Sequence, residues 1–387
     1  MRICYVCNEY PPSRHGGIGS FTQVLAEAMA RAGHEVRVIG VYREDDPQPA
    51  QVHCQGVEVW RLREPTYRMG WVAARYRLYR QVAAWCRRGE VELVEVPDFE
   101  GWAAFWPALP APVICRLNGS ASYFAAEQGI TCPRGLFHLE RASLGRADYC
   151  CAASRYTAEH TQRVFGMQDR QFEVLHNAVE VPCCSAAAQR ATNRIVFTGT
   201  LTMKKGVLSL AQAWPEVLRA RPDGELHLLG KDGRAPGGGS MQEYLRSQVG
   251  QHAAARMTFH GHASRAEVHA MLHTARVAVF PSYAEAFALA PMEAMACACP
   301  TIYSRRGSGP ELIRHGQDGL LIDPDRPGEI AAAILAVLDD ERLAVRLGSA
   351  GKDRIEQEFA IDKLEGRNET FYAKCIHEFR RGGRRVA

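Results

Sequence analysis

Short apolar runs alternate along the chain with longer segments whose apolar positions recur every three or four residues. Residues 2–7, RICYVC, form the first run, and the polar loop NEYPPSRHGGIGS follows it. Phe21, Val24, Leu25, Ala28 and Met29 then recur on one face of a predicted helix that stops at Gly33, before a second strand, EVRVIGV. Strand, glycine loop, helix and strand in that order open a parallel α/β sheet. An amphipathic helix is predicted over TYRMGWVAARYRLYRQVAAWCRRG, and the strands VELVEV and PVICRL follow, leading to polar turns that contain Asp98 and Asn118. Next come a helix around ERASLGRA, an apolar run from Asp148 to Ala152, and a helix for which Ser154 is a suitable cap. EVLHNAV leads into CCSAAAQRATN, a small-residue stretch with little periodicity that reads as a domain boundary.

The second half repeats the pattern. RIVFTGT, ELHLLG, MTFHG, VAVFPS and TIYS read as strands, with helices around AQAWPEVLRA, MQEYLRSQV, AEVHAMLHTA, GPELIRHG and PGEIAAAILAVLDD. Two successive α/β units without an obvious strand-rich insert predict a pair of open parallel sheets rather than a closed barrel. Open sheets bind ligands beyond the carboxyl ends of their strands.

Composition adds limits. A chain of 387 residues with 47% hydrophobic content can bury more than one core. Lys and Arg number 47 against 43 Asp and Glu, and the bases are dispersed apart from Arg380, Arg381, Arg384 and Arg385, so no nucleic-acid partner is expected. The apolar run from Ile3 to Cys7 is too short for a signal-peptide core or a membrane span, which predicts a cytoplasmic protein. The helix at residues 66 to 88 carries Arg68, Arg75, Arg77, Arg80, Arg87 and Arg88 among aromatics. An ordinary solvated face is the preferred reading of it, and peripheral contact with the cytoplasmic face of an anionic membrane is the alternative. The 13 Cys read as reduced, mostly buried thiols. Cys4 and Cys7 lie in a strand, and the pairs Cys150-Cys151 and Cys183-Cys184 lack zinc-ligand spacing, so no metal is expected.

Three features carry candidate chemistry. His15-Gly16-Gly17-Ile18-Gly19 joins strand to helix, where glycines allow close backbone approach and the first helical N–H groups meet negative charge. Turn geometry alone also explains such glycines. Gly199-Thr200-Leu201-Thr202-Met203-Lys204-Lys205-Gly206 is again a strand-to-helix loop, with lysines able to neutralise a diphosphate as a sugar–phosphate bond breaks. Glu285-Ala286-Phe287-Ala288-Leu289-Ala290-Pro291-Met292-Glu293 sets one carboxylate before a helix and another in its first turns, suited to a reacting sugar and to ribose hydroxyls. Capping of that helix by Glu285 is the competing reading.

Together with the downstream Met295–Pro300 and Gly309-Pro310-Glu311-Leu312-Ile313, these motifs resemble the retaining glycosyltransferases of family 4, over about residues 2 to 365. The resemblance implies the B-type fold, two Rossmann-like open parallel-sheet domains facing a central cleft. Its expected boundaries are an acceptor domain at 1–182, a nucleotide-sugar domain at 183–365, and at 366–387 a helix crossing back to the first domain, with a basic tail. By the same likeness Gly16 and Gly17 lie against the donor diphosphate, Lys205 adds positive charge to it, Glu293 binds ribose and Glu285 sits beside the transferred sugar. Gly199, Thr200, Lys204, Ala286, Phe287, Ala288 and Leu289 complete the donor set, and the turn from Ser308 to Leu312 faces sugar and phosphates. Glu285, Lys205 and Asn118 are the catalytic candidates.

Two positions depart from the family pattern. Thr200 stands where an arginine usually helps to hold diphosphate, and Asn118 where many relatives have histidine. Thr200 removes a cationic fork, and Asn118 hydrogen-bonds but does not titrate near neutrality. Acceptor contacts are expected from His15, Asp98, Glu100, Trp102 and Asn118, on loops that follow strands of the first domain.

The expected reaction is metal-independent transfer of a hexose-type sugar, with retention, from a nucleoside-diphosphate-sugar to an acceptor hydroxyl. It belongs to glycoconjugate, polysaccharide or natural-product biosynthesis and uses no cofactor. No residue type selects among UDP, GDP and ADP, and a UDP-sugar is the donor favoured. Phosphorylase-type sugar transfer is the alternative enzyme reading. A nucleotide-binding structural or regulatory protein with impaired catalysis is the alternative of another class.

Overall fold

The structure is a computed structural model that describes residues 1–67, 69–182 and 190–382. Arg68, Cys183, Cys184, Arg384, Arg385 and most of the expected boundary stretch, at 183–189, lie outside the described residues. The chain divides into two units, one formed by Met1–Ala178 with Ile361–Ala387 and the other by Val179–Ala360. These breaks fall at 178 and 360, beside the expected 182 and 365. Val179 pairs with Ala360 and its N–H donates to the Phe359 carbonyl at 3.1 Å, so the two chain crossings at the edge of the second unit are hydrogen-bonded to each other.

Among the described residues the first unit has eight strands: β1 (Arg2–Val6), β2 (Glu35–Tyr42), β3 (Gln51–Cys54), β4 (Val57–Arg63), β5 (Leu93–Pro97), β6 (Val113–Leu117), β7 (Tyr149–Ala152) and β8 (Glu173–Val174). They lie in the order β3-β4-β2-β1-β5-β6-β7-β8, parallel except for the β3–β4 hairpin. The order reverses direction between β1 and β5, and loops leaving a sheet at such a point diverge to leave a crevice. The hairpin is absent from the sequence expectation. Its turn, Gln55-Gly56, has φ of 52° and 79°, the left-handed pair that suits the twist of two-residue hairpins.

One face of this sheet packs on the helix Gly70–Arg87, whose Leu78, Val82 and Trp85 are buried with Val94, Val96 and Val113. On the other face the last helix, Ile361–Arg380, is drawn to the strands by a buried polar network. Arg116 of β6 donates to both Glu95 carboxylate oxygens at 2.7 and 3.0 Å and to Asn368 Oδ1 at 2.6 Å, while Tyr372 donates to Glu95 at 2.7 Å. Leu364 and Ile361 of that helix also close an apolar cluster with Ala28.

Among the described residues the second unit has six parallel strands: β9 (Arg194–Thr198), β10 (Glu225–Leu229), β11 (Met257–Gly261), β12 (Val277–Phe280), β13 (Thr301–Ser304) and β14 (Leu320–Ile322). Their order, β11-β10-β9-β12-β13-β14, reverses between β9 and β12. Helix starts follow local chemistry. Ser154 Oγ accepts from Thr157 N at 3.0 Å, and Ser264 with Glu267 forms a complete capping box. The helices Ala121–Glu127 and Glu341–Arg354 add to those expected from periodicity. Eleven cysteines are free among the described residues, nine of them buried.

Candidate active site

In the second unit the loops after β9, β12 and β13 carry the candidate donor residues. Gly199 turns the chain out of β9 at φ +135°, its N–H donating to the Leu229 carbonyl at 2.8 Å, and Thr200 beside it is exposed. Gly206 starts the next helix at φ +70°, where an added Cβ would run into the Pro281 carbonyl. Backbone contact thus presses the lysine loop onto the segment that leaves β12. The Tyr283 N–H extends this contact by donating to the Lys204 carbonyl at 2.8 Å.

This contact brings Lys204 and Lys205 to Glu285. The Lys205 ammonium forms an ion pair with Glu285 Oε1, each side chain largely covered. Burial alone pushes the Glu285 carboxyl up, but Lys205 and Lys204, with a hydrogen bond from Ser282, outweigh it and hold the group below the usual carboxylate range. Lys204 is lowered by burial, which the Glu285 charge only partly offsets. The helix after this loop spans Leu289–Ala296 and has Ala288 as N-cap, with no side-chain cap. The capping role considered for Glu285 is therefore not what the residue does. Glu293 sits in that helix, raised by burial, with Arg265 3.9 Å away. Ala286, Phe287 and Ala288 are buried and Leu289 half-buried, Phe287 packing on Phe359 with ring centroids 5.4 Å apart. Ser308 is buried next to the short turn Gly309–Leu312, beside Tyr303, whose phenol is raised by burial and by the Glu285 charge.

In the first unit the helix Gly17–Arg31 begins one residue after Gly16, both glycines exposed. Glu9, which sequence reasoning passed over, accepts from the Gly19 N–H at 2.7 Å, a carboxylate at the positive end of the helix. An acidic residue inside a glycine loop before a helix is the signal that could have found it. His15 hydrogen-bonds through Nδ1 to the Ser13 carbonyl at 2.8 Å. Asp98 is buried rather than presented. Its Oδ1 accepts from the Asn118 N–H at 2.9 Å, Oδ2 has no hydrogen-bond partner among the described residues, and burial, with the Glu140 charge, pushes the carboxyl up to about 7. It tethers the loop after β5 to the loop after β6, where Asn118 is half-buried.

Glu100 and Trp102, on the loop after β5, line a cavity of about 600 Å³ together with Asn8, Tyr42, Arg43 and Asp46. His15, Asp98 and Asn118 are not among its lining residues. Glu100 holds φ +62°, and its backbone is fastened by Arg75, which donates to the Glu100 and Gly101 carbonyls at 2.6 and 2.7 Å and lies over the Trp102 ring at 4.4 Å. Arg75 is the second residue that sequence reasoning placed elsewhere, as part of a solvated or membrane-facing helix. Among the described residues no group of three or more His, Cys, Asp or Glu is placed to hold a metal ion.

The profile of the family "Glycosyl transferases group 1" matches residues 186–354, and that of "Glycosyl transferase 4-like domain" matches residues 16–178. The chain is 27% identical over 388 residues to the glycogen synthase of Mycobacterium tuberculosis, covering 93% of this chain and 91% of that protein. In fold it is similar to sucrose-phosphate synthase from Thermosynechococcus elongatus, with TM-score 0.79, 21% identity and coverage of 96% and 98% of the two chains. It is similar also to Anabaena Alr3699/HepE in complex with UDP and glucose, with TM-score 0.72, 16% identity and coverage of 96% and 99%. With one glycosyltransferase profile over each Rossmann-like half, and the lysine and glutamate loops at the carboxyl edge of the second sheet, the chain belongs to the family 4 glycosyltransferases of the two-domain B type.

Proposed function

We propose that the protein transfers a hexose from a UDP-sugar to an acceptor hydroxyl with retention of anomeric configuration and without a metal ion. The observation that carries this reading is the Lys204, Lys205 and Glu285 cluster at the carboxyl ends of β9 and β12. Two ammonium groups held at one point by backbone contacts can receive the charge that develops on a departing diphosphate without reorganising. Glu285, ionised by those lysines, returns one lysine to a carboxylate when the diphosphate leaves and offers hydrogen-bond acceptors to sugar hydroxyls. Glu293, half-buried and raised by desolvation, is suited to ribose hydroxyls. UDP is favoured because the Anabaena neighbour is described in complex with UDP. The cavity lined by Glu100 and Trp102 supplies an aromatic face and polar groups for an acceptor. Same-face attack assisted by the leaving phosphate is the route to retention that needs no flanking carboxylate pair.

The test is Glu285→Gln assayed against a panel of UDP-hexoses for transfer and for hydrolysis, with UDP binding measured alongside. Transfer is expected to fall ~100-fold or more while UDP binding survives. Undiminished transfer removes Glu285 from the reacting centre.

A further inference from the structure

Five of the nine exposed large hydrophobic side chains among the described residues lie within ten residues of one another: Tyr67, Met69, Trp71, Val72 and Tyr76, each between 40% and 60% exposed. Met69 is the N-cap of the helix Gly70–Arg87 and the next three lie in its first turns. Met69, Val72, Tyr76, Arg80 and Arg87 follow one another at spacings of three, four, four and seven, which puts them on a single stripe of the helix. The stripe is apolar and aromatic in its first half and basic in its second. The helix contains four arginines and no acidic residue, and Arg77, Arg80 and Arg87 are exposed. The opposite face, with Leu78, Val82 and Trp85, is already buried in the first unit, so the exposed stripe is surplus to folding.

The loop after β5 rides on the same half of the helix. Arg75 fastens Glu100 and Gly101, Trp106 packs on Tyr79 with centroids 5.8 Å apart, and between these anchors Phe105 stands 79% exposed. Exposed apolar groups gathered in one place mark an interaction surface, whereas single ones do not.

We propose that this surface docks on an anionic membrane. Trp, Tyr and Met beside arginines, with no acidic residue on the helix, match the water–lipid boundary. The aromatic rings enter the headgroup layer and the guanidinium groups meet lipid phosphates. No described helix is long and apolar enough to cross a membrane, so the contact is peripheral. Because Glu100 and Trp102 also line the 600 Å³ cavity, docking keeps that cavity beside the lipid surface, which suits an acceptor carried by the bilayer. The docking itself does not rest on the transfer reaction.

The experiment is co-sedimentation of the full chain with vesicles of phosphatidylglycerol and phosphatidylcholine, against phosphatidylcholine alone, at low and raised salt. Wild type is expected to bind the anionic vesicles, and salt is expected to weaken that binding. Trp71→Ser with Tyr76→Ser, and separately Arg77→Glu with Arg80→Glu, are each expected to lower the bound-to-free ratio ~10-fold or more, with unchanged melting temperature and UDP binding. The charge-reversal pair keeps the test open if the aromatic pair unfolds. Absence of binding to anionic vesicles, or equal binding by both variants, overturns the proposal. A dimer in sedimentation velocity that Trp71→Ser with Tyr76→Ser dissolves also overturns it, by assigning the face to a second copy of the chain.

Discussion

At the scale of single residues, the chemistry of the chain lies in a few carboxylates whose neighbours set their charge in opposite directions. Glu285 is half-buried and ionised because two lysines face it, whereas Asp98 is buried beside another carboxylate, Glu140, and is pushed up to about 7. A carboxyl whose folded pKa lies above its unfolded value stabilises the fold fully below the unfolded value, and the contribution is lost as pH rises through the folded one. For Asp98 the window therefore runs from about pH 4 to about 7, and the amount at stake is at most ~4 kcal/mol. Asp98→Asn keeps an acceptor for the Asn118 N–H and removes the titration. The wild type is expected to lose stability to denaturant between about pH 4 and about pH 7, and Asp98→Asn to lose much less; parallel curves for the two proteins would exclude Asp98 as the source. None of this was legible in the sequence. Asp98 stood there as an acceptor contact because it follows a strand, and neighbours 20 and 42 positions away, one in a loop and one in the helix Arg134–Arg146, leave no trace in local pattern. Lys205 and Glu285 were legible as types at plausible places, while their pairing required the fold.

Among elements, the loops at the carboxyl edges are held by backbone contacts at glycines more than by side chains. Gly206 has φ +70° and lies against the Pro281 carbonyl, so the lysine loop and the glutamate loop share a contact that no other residue fits. Gly206→Ala is expected to lower stability by ~2 kcal/mol or more. Gly366→Ala, in an exposed turn of the last helix with open space around it, is expected to raise stability by up to ~1 kcal/mol. Urea unfolding of both variants checks the pair; equal effects would mean that the crowding at Gly206 relaxes freely. Strand–helix alternation made these loops readable, since RIVFTGT and VAVFPS are apolar runs that end in turn residues. The β3–β4 hairpin escaped because its turn is Gln-Gly rather than Asn-Gly, and because β3 is mostly exposed and offers no buried alternation. Arg75 escaped for a related reason: one arginine in a row of six looks like its neighbours until the loop after β5 closes on it.

Across the whole molecule, residues distant in sequence complete each other's polar groups. Arg116 and Glu95 are buried in the first sheet and are satisfied in part by Asn368 and Tyr372 from the end of the chain. Removing one member of such a network strands a buried charge, so Arg116→Met is expected to cost ~3–5 kcal/mol in guanidinium unfolding, a loss under ~1 kcal/mol contradicting the assignment. In the second unit, the proposed role of the Lys204, Lys205 and Glu285 cluster is to hold a diphosphate. Calorimetric titration with UDP and with uridine tests it most directly, because the two ligands differ only in the group the lysines are assigned to hold. Wild type should bind UDP ~100-fold or more tightly than uridine, and Lys205→Ala should reduce that ratio by ~10-fold or more. A ratio unchanged by Lys205→Ala would remove Lys205 from the diphosphate site.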